Sequence, residues 1–146
     1  MHIVALTGHE APLLAAIHAQ SVEEAWSLDA FSTLLQTPCY GGWLAVIEDQ
    51  PVGFLLVSQL APEAEILTFA VRPEWRRQQI GTQLLQHFLA TSKDQITTVF
   101  LEVDCENQAA IELDQAFDFK RIATRPAYYH HFQKAPTDAW VMQLII

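Results

Sequence analysis

Three arginines, Arg72, Arg76 and Arg77, fall within six positions in the run Arg72-Pro73-Glu74-Trp75-Arg76-Arg77-Gln78-Gln79-Ile80. Directly beyond it, residues 81–91 place Leu84, Leu85, Phe88 and Leu89 at helical spacing. A loop entering a helix presents backbone N–H groups without intrahelical partners, together with the positive end of the helix dipole. Such a turn cradles phosphate, and adjacent guanidinium groups add charge to it. The cluster stands out because residues 1–71 hold eight carboxylates and no Lys or Arg, in a chain of 146 residues whose net charge is −9. The same run also reads as an ordinary strand-to-helix loop with solvated arginines, but its place at the densest basic point of the chain favours an anion site.

Other chemistry-bearing residues are less pointed. Glu102 sits near the end of a β-branched run at residues 97–103 and reads on its own as a cross-strand or surface carboxylate. His130-His131 has no third ligand at a fixed spacing, so an exposed loop is expected there and no metal. Cys39 and Cys105 give no metal spacing, and one possible bridge is too few to define a disulfide scaffold. Trp26 and Phe31 read by periodicity as core.

The elements that must position these residues follow from pattern. A short strand is expected over residues 2–6. The spacing of Leu13, Leu14 and Ile17 gives a helix from Ala11 to near Ala25. Ser27 is placed to cap a second helix carrying Leu28, Phe31, Leu34 and Leu35, which Thr37-Pro38 stops. Strands over 43–47 and 52–59 flank Glu48-Asp49-Gln50-Pro51 as a hairpin, and a third run over 65–71 is closed by Arg72-Pro73. After the helix at 81–91 and the strand at 97–103, Asn107 caps a helix through Phe117, and strands over 119–124 and 139–146 close the chain. This alternation predicts an α/β fold with a mixed sheet flanked by helices, in one domain over residues 1–146.

Composition narrows the class. At 51% apolar and 17% charged residues the chain buries enough surface to fold, which excludes intrinsic disorder. Its acidity excludes a nucleic-acid wrapper, and no apolar run approaches the roughly 20 residues that cross a bilayer. The N-terminus lacks the basic and apolar regions of a signal peptide, so a soluble cytoplasmic protein is expected.

The stretch FAVRPEWRRQQIGTQLLQHFL, beginning at Phe69, resembles the acetyl-CoA-binding motif of the GNAT superfamily of N-acetyltransferases, Arg/Gln-x-x-Gly-x-Gly/Ala. Arg76 and Gly81 match its ends, and Gln79 replaces its first glycine. Glu24-Ala25-Trp26-Ser27 with Phe31, Leu101-Glu102-Val103, residues 107–111, and Tyr128-Tyr129 with Asp138-Ala139 and Met142 are similar, in order and spacing, to the ribosomal-protein-alanine N-acetyltransferases. The resemblance covers nearly the whole chain.

What it implies is a transfer of acetyl from acetyl-CoA to the N-terminal amino group of a protein, with a ribosomal protein that starts with alanine and carries a basic leader as the usual acceptor. Pantetheine would lie along Phe69, Ala70 and Val71. The pyrophosphate would sit at Arg76 and on the amides of Arg77, Gln78, Gln79, Ile80, Gly81 and Thr82, with Asn107 a further contact. Glu102 would be the general base, and Trp26, Tyr128 and Tyr129 would line the acceptor groove. The alternatives are a small-amine or amino-acid acetyltransferase, or a domain that binds CoA without turnover.

Of three departures from the family's pattern, those at Asp114 and Gln79 motivate the last of these. The family's tyrosine acid falls at Asp114, expected to be ionised near pH 7 unless burial raises its pKa strongly. Gln79 is strained if its φ is positive, at about 1 kcal/mol. Asp118 replaces a helix-ending glycine, which Asp tolerates.

Overall fold

Hairpins, helical crossovers and breaks in strand register fix the architecture. In the computed structural model, which describes residues 1–146, the strands are β1 His2–Ala5, β2 Tyr40–Ile47, β3 Gln50–Leu60, β4 Glu63–Val71, β5 Thr98–Asp104, β6 Lys120–His131 and β7 Lys134–Ile145. The helices are α1 Ala11–Ser21, α2 Leu28–Gln36, α3 Ile80–Ser92 and α4 Gln108–Ala116. The sheet order is β1-β2-β3-β4-β5-β7-β6, and every neighbouring pair is antiparallel except β4–β5. Glu48 and Asp49, at φ 49° and 63°, make the tight turn that the twist of a two-residue hairpin favours. The crossover through α3 is what lets β5 run parallel to β4.

Both faces of the sheet are covered. In β3 every residue from Val52 to Val57 is buried, as expected of a strand packed on two sides. Leu55 and Val57 face α3 with Leu84, Leu85 and Phe88, while Phe54 and Leu56 face α1 and α2 with Leu14, Ile17 and Phe31. No helix is long and apolar enough to cross a membrane.

The site depends on where the sheet comes apart. β4 and β5 pair only at Glu63↔Thr98, Ala64↔Val99 and Glu65↔Phe100, although β4 continues to Val71 and β5 to Asp104. On the other edge of β4 the register with β3 slips between Leu56↔Thr68 and Val57↔Ile66, leaving Leu67 as an extra residue. A bulge bends the strand that carries it. β4 therefore turns away from β5 just past Glu65, and a fork opens between them.

Several expected elements differ in their bounds: β2 begins at Tyr40 rather than residue 43 and β7 at Lys134 rather than residue 139, and two further differences shape the site. The first helix stops at Ser21, not near Ala25, and Val22 is already extended. The Ser21 hydroxyl donates to the Ile17 carbonyl at 2.6 Å, and the Trp26 amide donates to His18 Nδ1 at 2.9 Å, so residues 22–26 fold back over the helix end. The strand expected over 119–124 runs to His131, with one edge free and most residues exposed, which removes the alternation that a buried face would print. His130 and His131 therefore lie in a strand and not in an exposed loop.

Candidate active site

The fork holds a cleft of about 780 Å³. One wall is β4 from Glu65 to Phe69, and the other is β5 from Leu101 to Asp104 with the start of α4. The α1–α2 loop and β6 form its mouth.

On the β5 wall, Glu102 Oε1 accepts a hydrogen bond from Arg125 Nη1 at 2.7 Å, while its Oε2 is buried and has no partner. Arg125 stands two strands away, with β7 between, and packs 4.1 Å over the Tyr128 ring. A break in register between Arg125 and Tyr129 turns both side chains towards the cleft. Ala127 takes φ 49° there, held by its amide donating to Asp138 Oδ1 at 2.9 Å. Burial, reinforced by Glu102 and nearby acidic groups, pushes the Tyr129 hydroxyl well above its ordinary pKa, so it stays protonated. Burial and the Glu102 charge also push the Glu65 carboxyl up, with Arg125 pulling the other way.

The α1 side is pinned by His18. Its ring is buried, and burial lowers its pKa to about 4, so it is neutral at pH 7. Because Nδ1 accepts the Trp26 amide, the proton is on Nε2, which donates to Thr68 Oγ1 at 3.0 Å. Trp26 lies edge-on to His18 at 5.4 Å and against Phe31 at 5.5 Å, so it serves both the aromatic core and the cleft. At the mouth, His131 joins Glu23 of the α1–α2 loop to Asp104 Oδ2 at 3.1 Å and Thr137 Oγ1 at 2.8 Å.

Asp114 does not behave as its residue type predicts. It lies on α4 with 3% of its surface exposed, facing the cleft, and burial alone raises its carboxyl to about pH 7. Burial thus favours the protonated form well above the usual carboxylate range.

The β4–α3 turn forms a second part of the site, outside the lining of the cleft. The amides of Arg77, Gln78 and Gln79 donate to no acceptor in the chain, and those of Ile80, Gly81 and Thr82 are first-turn amides without intrahelical partners. Arg77 and Gln79 both take left-handed conformations, φ 63° and 62°, which alternate the amide directions into a concavity suited to an anion. The positive φ at Gln79 carries the strain expected of a side chain there, about 1 kcal/mol. A Cβ on Gly81 would lie 3.2 Å from the Phe69 ring and 3.4 Å from Leu113 Cδ2, so glycine is what lets α3 sit on the strand that lines the cleft. Two of the three arginines are engaged by the fold. Arg72 donates to the Pro51 carbonyl and Gln20, and Arg76 donates to the Ser21 carbonyl at 3.0 Å. Arg77 is exposed and its side chain is bonded to nothing in the fold.

Thus Trp26, Phe69, Glu102, Asn107, Tyr128 and Tyr129 line one cleft. Ala70 instead packs into the α1–α2 core, and the Val71 carbonyl lies 3.2 Å from the Ser21 hydroxyl. Asn107 caps α4, its side-chain oxygen accepting the Ala110 amide at 3.2 Å. Sequence reasoning missed Glu65, Thr68, Asp104 and Arg125, which carry no local signal, and His18, whose polar ring within an apolar helix was the available clue. Asp118 ends α4 at φ 70°, with the Phe119 amide on the Asp114 carbonyl and the Asp118 amide on that of Gln115, so the missing glycine is accommodated.

Residues 11–119 match the model of the acetyltransferase (GNAT) family. The chain is 30% identical to the [ribosomal protein bS18]-alanine N-acetyltransferase of Escherichia coli over 120 residues, which cover 80% of each protein. It is also 30% identical to the N-alpha-acetyltransferase RimI of Mycobacterium tuberculosis, over 97% of this chain and 90% of that one. The crystal structure of the ribosomal-protein-S18-alanine N-acetyltransferase from Escherichia coli superposes with a TM-score of 0.93 at 27% identity, covering 99% of this chain and 93% of that one. The chain belongs to the acetyltransferase (GNAT) family and is an acetyl-CoA-dependent N-acetyltransferase.

Proposed function

We propose that residues 1–146 act as a single domain that transfers acetyl from acetyl-CoA to the α-amino group of a protein N-terminus, in the cytoplasm. The acceptor we favour is a ribosomal protein that starts with alanine and carries a basic leader. The likeness to ribosomal-protein-alanine N-acetyltransferases over at least four-fifths of the chain supports this reading. The observation that carries it is the fork itself, an open cleft whose lining holds Glu23, Glu24, Glu65, Glu102 and Asp104 against a single arginine. Such a lining attracts a cationic chain end.

The residues present suit the donor. Past Glu65 the edge of β4 facing β5 has no strand partner, and its backbone groups need hydrogen bonds that an extended amide-bearing arm supplies. Pantetheine along Phe69, Ala70 and Val71 meets that need. The amides of residues 77–82, with Arg77, suit the pyrophosphate. The Asn107 side-chain nitrogen, free of the capping bond, suits a further amide of the arm.

In the reaction the acceptor arrives as an ammonium ion and Glu102 takes one proton, directly or through a water. The neutral nitrogen attacks the thioester carbonyl, so that a C–N bond forms and the C–S bond breaks. The departing thiolate takes a proton from Asp114, and the nitrogen gives up its second proton through water to the Asp114 carboxylate, which restores the acid. Trp26, Tyr128 and Tyr129 wall the groove through which the acceptor chain leaves.

Incubation with acetyl-CoA and a peptide starting with alanine and followed by basic residues is expected to add one acetyl group at the N-terminus, read by mass spectrometry. Glu102→Gln should lower kcat about a hundredfold or more while leaving CoA affinity unchanged. Acetylation of free amines with none on any peptide N-terminus overturns the assignment.

A further inference from the structure

Glu102 has two carboxylate oxygens, and only Oε1 can meet an incoming amine. Oε1 is taken by Arg125 at 2.7 Å, and Oε2 is shielded from solvent without any partner. A base must lie within about 2.6–3.2 Å of the group it deprotonates, or reach it through one water. Oε2 has no surface for either, so the amine must be met at Oε1, where the guanidinium already sits. That position is built into the fold. The register break in β6, the left-handed Ala127 and its bond to Asp138 together aim Arg125 and Tyr128 at the cleft, and the Tyr128 ring supports the guanidinium at 4.1 Å. A left-handed alanine is conformationally costly, and it persists because its surroundings hold it.

We propose that Arg125 is the resident cation of the acceptor site. Its guanidinium occupies the place of the acceptor's ammonium group on Glu102, and the acceptor binds by displacing it. The proposal rests on the reading of Glu102 as the base.

Replacing one cation by another leaves the charge around Glu102 unchanged. A neutral hydroxyl or amide offers no such exchange, so the arrangement selects a charged amine. Half of the Arg125 side chain is already exposed, 51%, so the displaced guanidinium moves into water beside Tyr128 without a large desolvation cost. Glu65, in the same cleft, already feels its charge.

The test compares the wild type with Arg125→Ala, using an alanine-initiated peptide. Removing the resident cation should lower the peptide's KM about two- to fivefold, the change expected for one partly exposed ion pair. The peptide's Kd on the enzyme loaded with CoA, measured by calorimetry, should fall by the same factor. Methylguanidinium at millimolar concentration should refill the vacated place and raise KM again in Arg125→Ala, with little effect on the wild type. Arg125→Lys, which keeps a cation, should lie between the two. An unchanged or weaker affinity in Arg125→Ala, with no response to methylguanidinium, overturns the proposal while leaving the base reading standing. Full activity in Glu102→Gln overturns the base reading instead.

Discussion

At the scale of single residues, Asp114 is where environment most changes chemistry. An open-chain aspartate is ionised at pH 7, whereas burial on α4 raises this carboxyl from 3.8 to about 7. The native state therefore keeps a proton that the unfolded chain has lost, and stability declines as pH rises from about 4 to about 7. Asp114→Asn removes that dependence without changing shape. We expect the variant to be more stable than the wild type, with the difference growing from pH 5 to pH 8 towards an upper limit on the order of 4 kcal/mol. Thermal melts at the two pH values check this. The same change should lower kcat and remove the wild type's loss of a donor above pH 7. The residue type was legible in the sequence, and its protonation was not, because burial comes from contacts that the local pattern does not print. Gln79 shows the reverse case. Its strain was conditional on the sign of one backbone angle, and φ 62° decides it. Gln79→Gly should relieve the strain, and differential scanning calorimetry should show no loss of stability despite the added freedom of glycine in the unfolded chain.

Elements position these residues through a few non-local ties. α2 and α4 were legible because their caps and apolar stripes are local, as Ser27 accepting the Ala30 amide and Asn107 accepting that of Ala110 confirm, and α3 was legible from its stripe alone. The end of α1 was not, because it is set by His18 capturing the Trp26 amide eight residues away. The length of β6 was hidden by its exposed edge position. The fork itself was invisible, since it follows from one extra residue, Leu67, in the pairing of β4 with β3. The His18 tie has a definite pH sign. Its folded pKa of about 4 lies below the 6.5 of a free histidine, so its contribution is complete above pH 6.5 and is lost as pH falls towards 4. His18→Leu should cost about 1–3 kcal/mol at pH 7, because the Trp26 amide loses its acceptor, and should flatten the loss of stability between pH 6.5 and 5. Urea denaturation at three pH values separates the two effects. The variant should also weaken acceptor binding more than kcat, since Trp26 is then free to leave the groove wall.

For the whole molecule, the charge distribution assigns different tasks to different regions. The sequence shows a first half with eight carboxylates and no Lys or Arg, but not how that charge meets the site. In the fold, Glu23, Glu24 and Glu65 come from that half, and Glu102 and Asp104 come from beyond the arginines. The cleft's negative lining is thus assembled from both halves, while Arg77 marks the turn where an anionic cofactor is expected to dock. A basic acceptor should feel this field over about 10 Å at 0.1 M salt and only about 3 Å at 1 M. Its KM should therefore rise with salt while kcat stays constant. A peptide with the same N-terminal alanine but an uncharged leader should show a much smaller rise, because only its ammonium group then interacts with the lining. The KM for acetyl-CoA, an anion approaching a protein of net charge −9, should not rise in parallel. Steady-state kinetics with both peptides at 0.05, 0.15 and 0.5 M NaCl give the comparison. Equal salt responses for the two leaders would mean that the lining recognises the amino terminus alone and takes no part in selecting a basic chain.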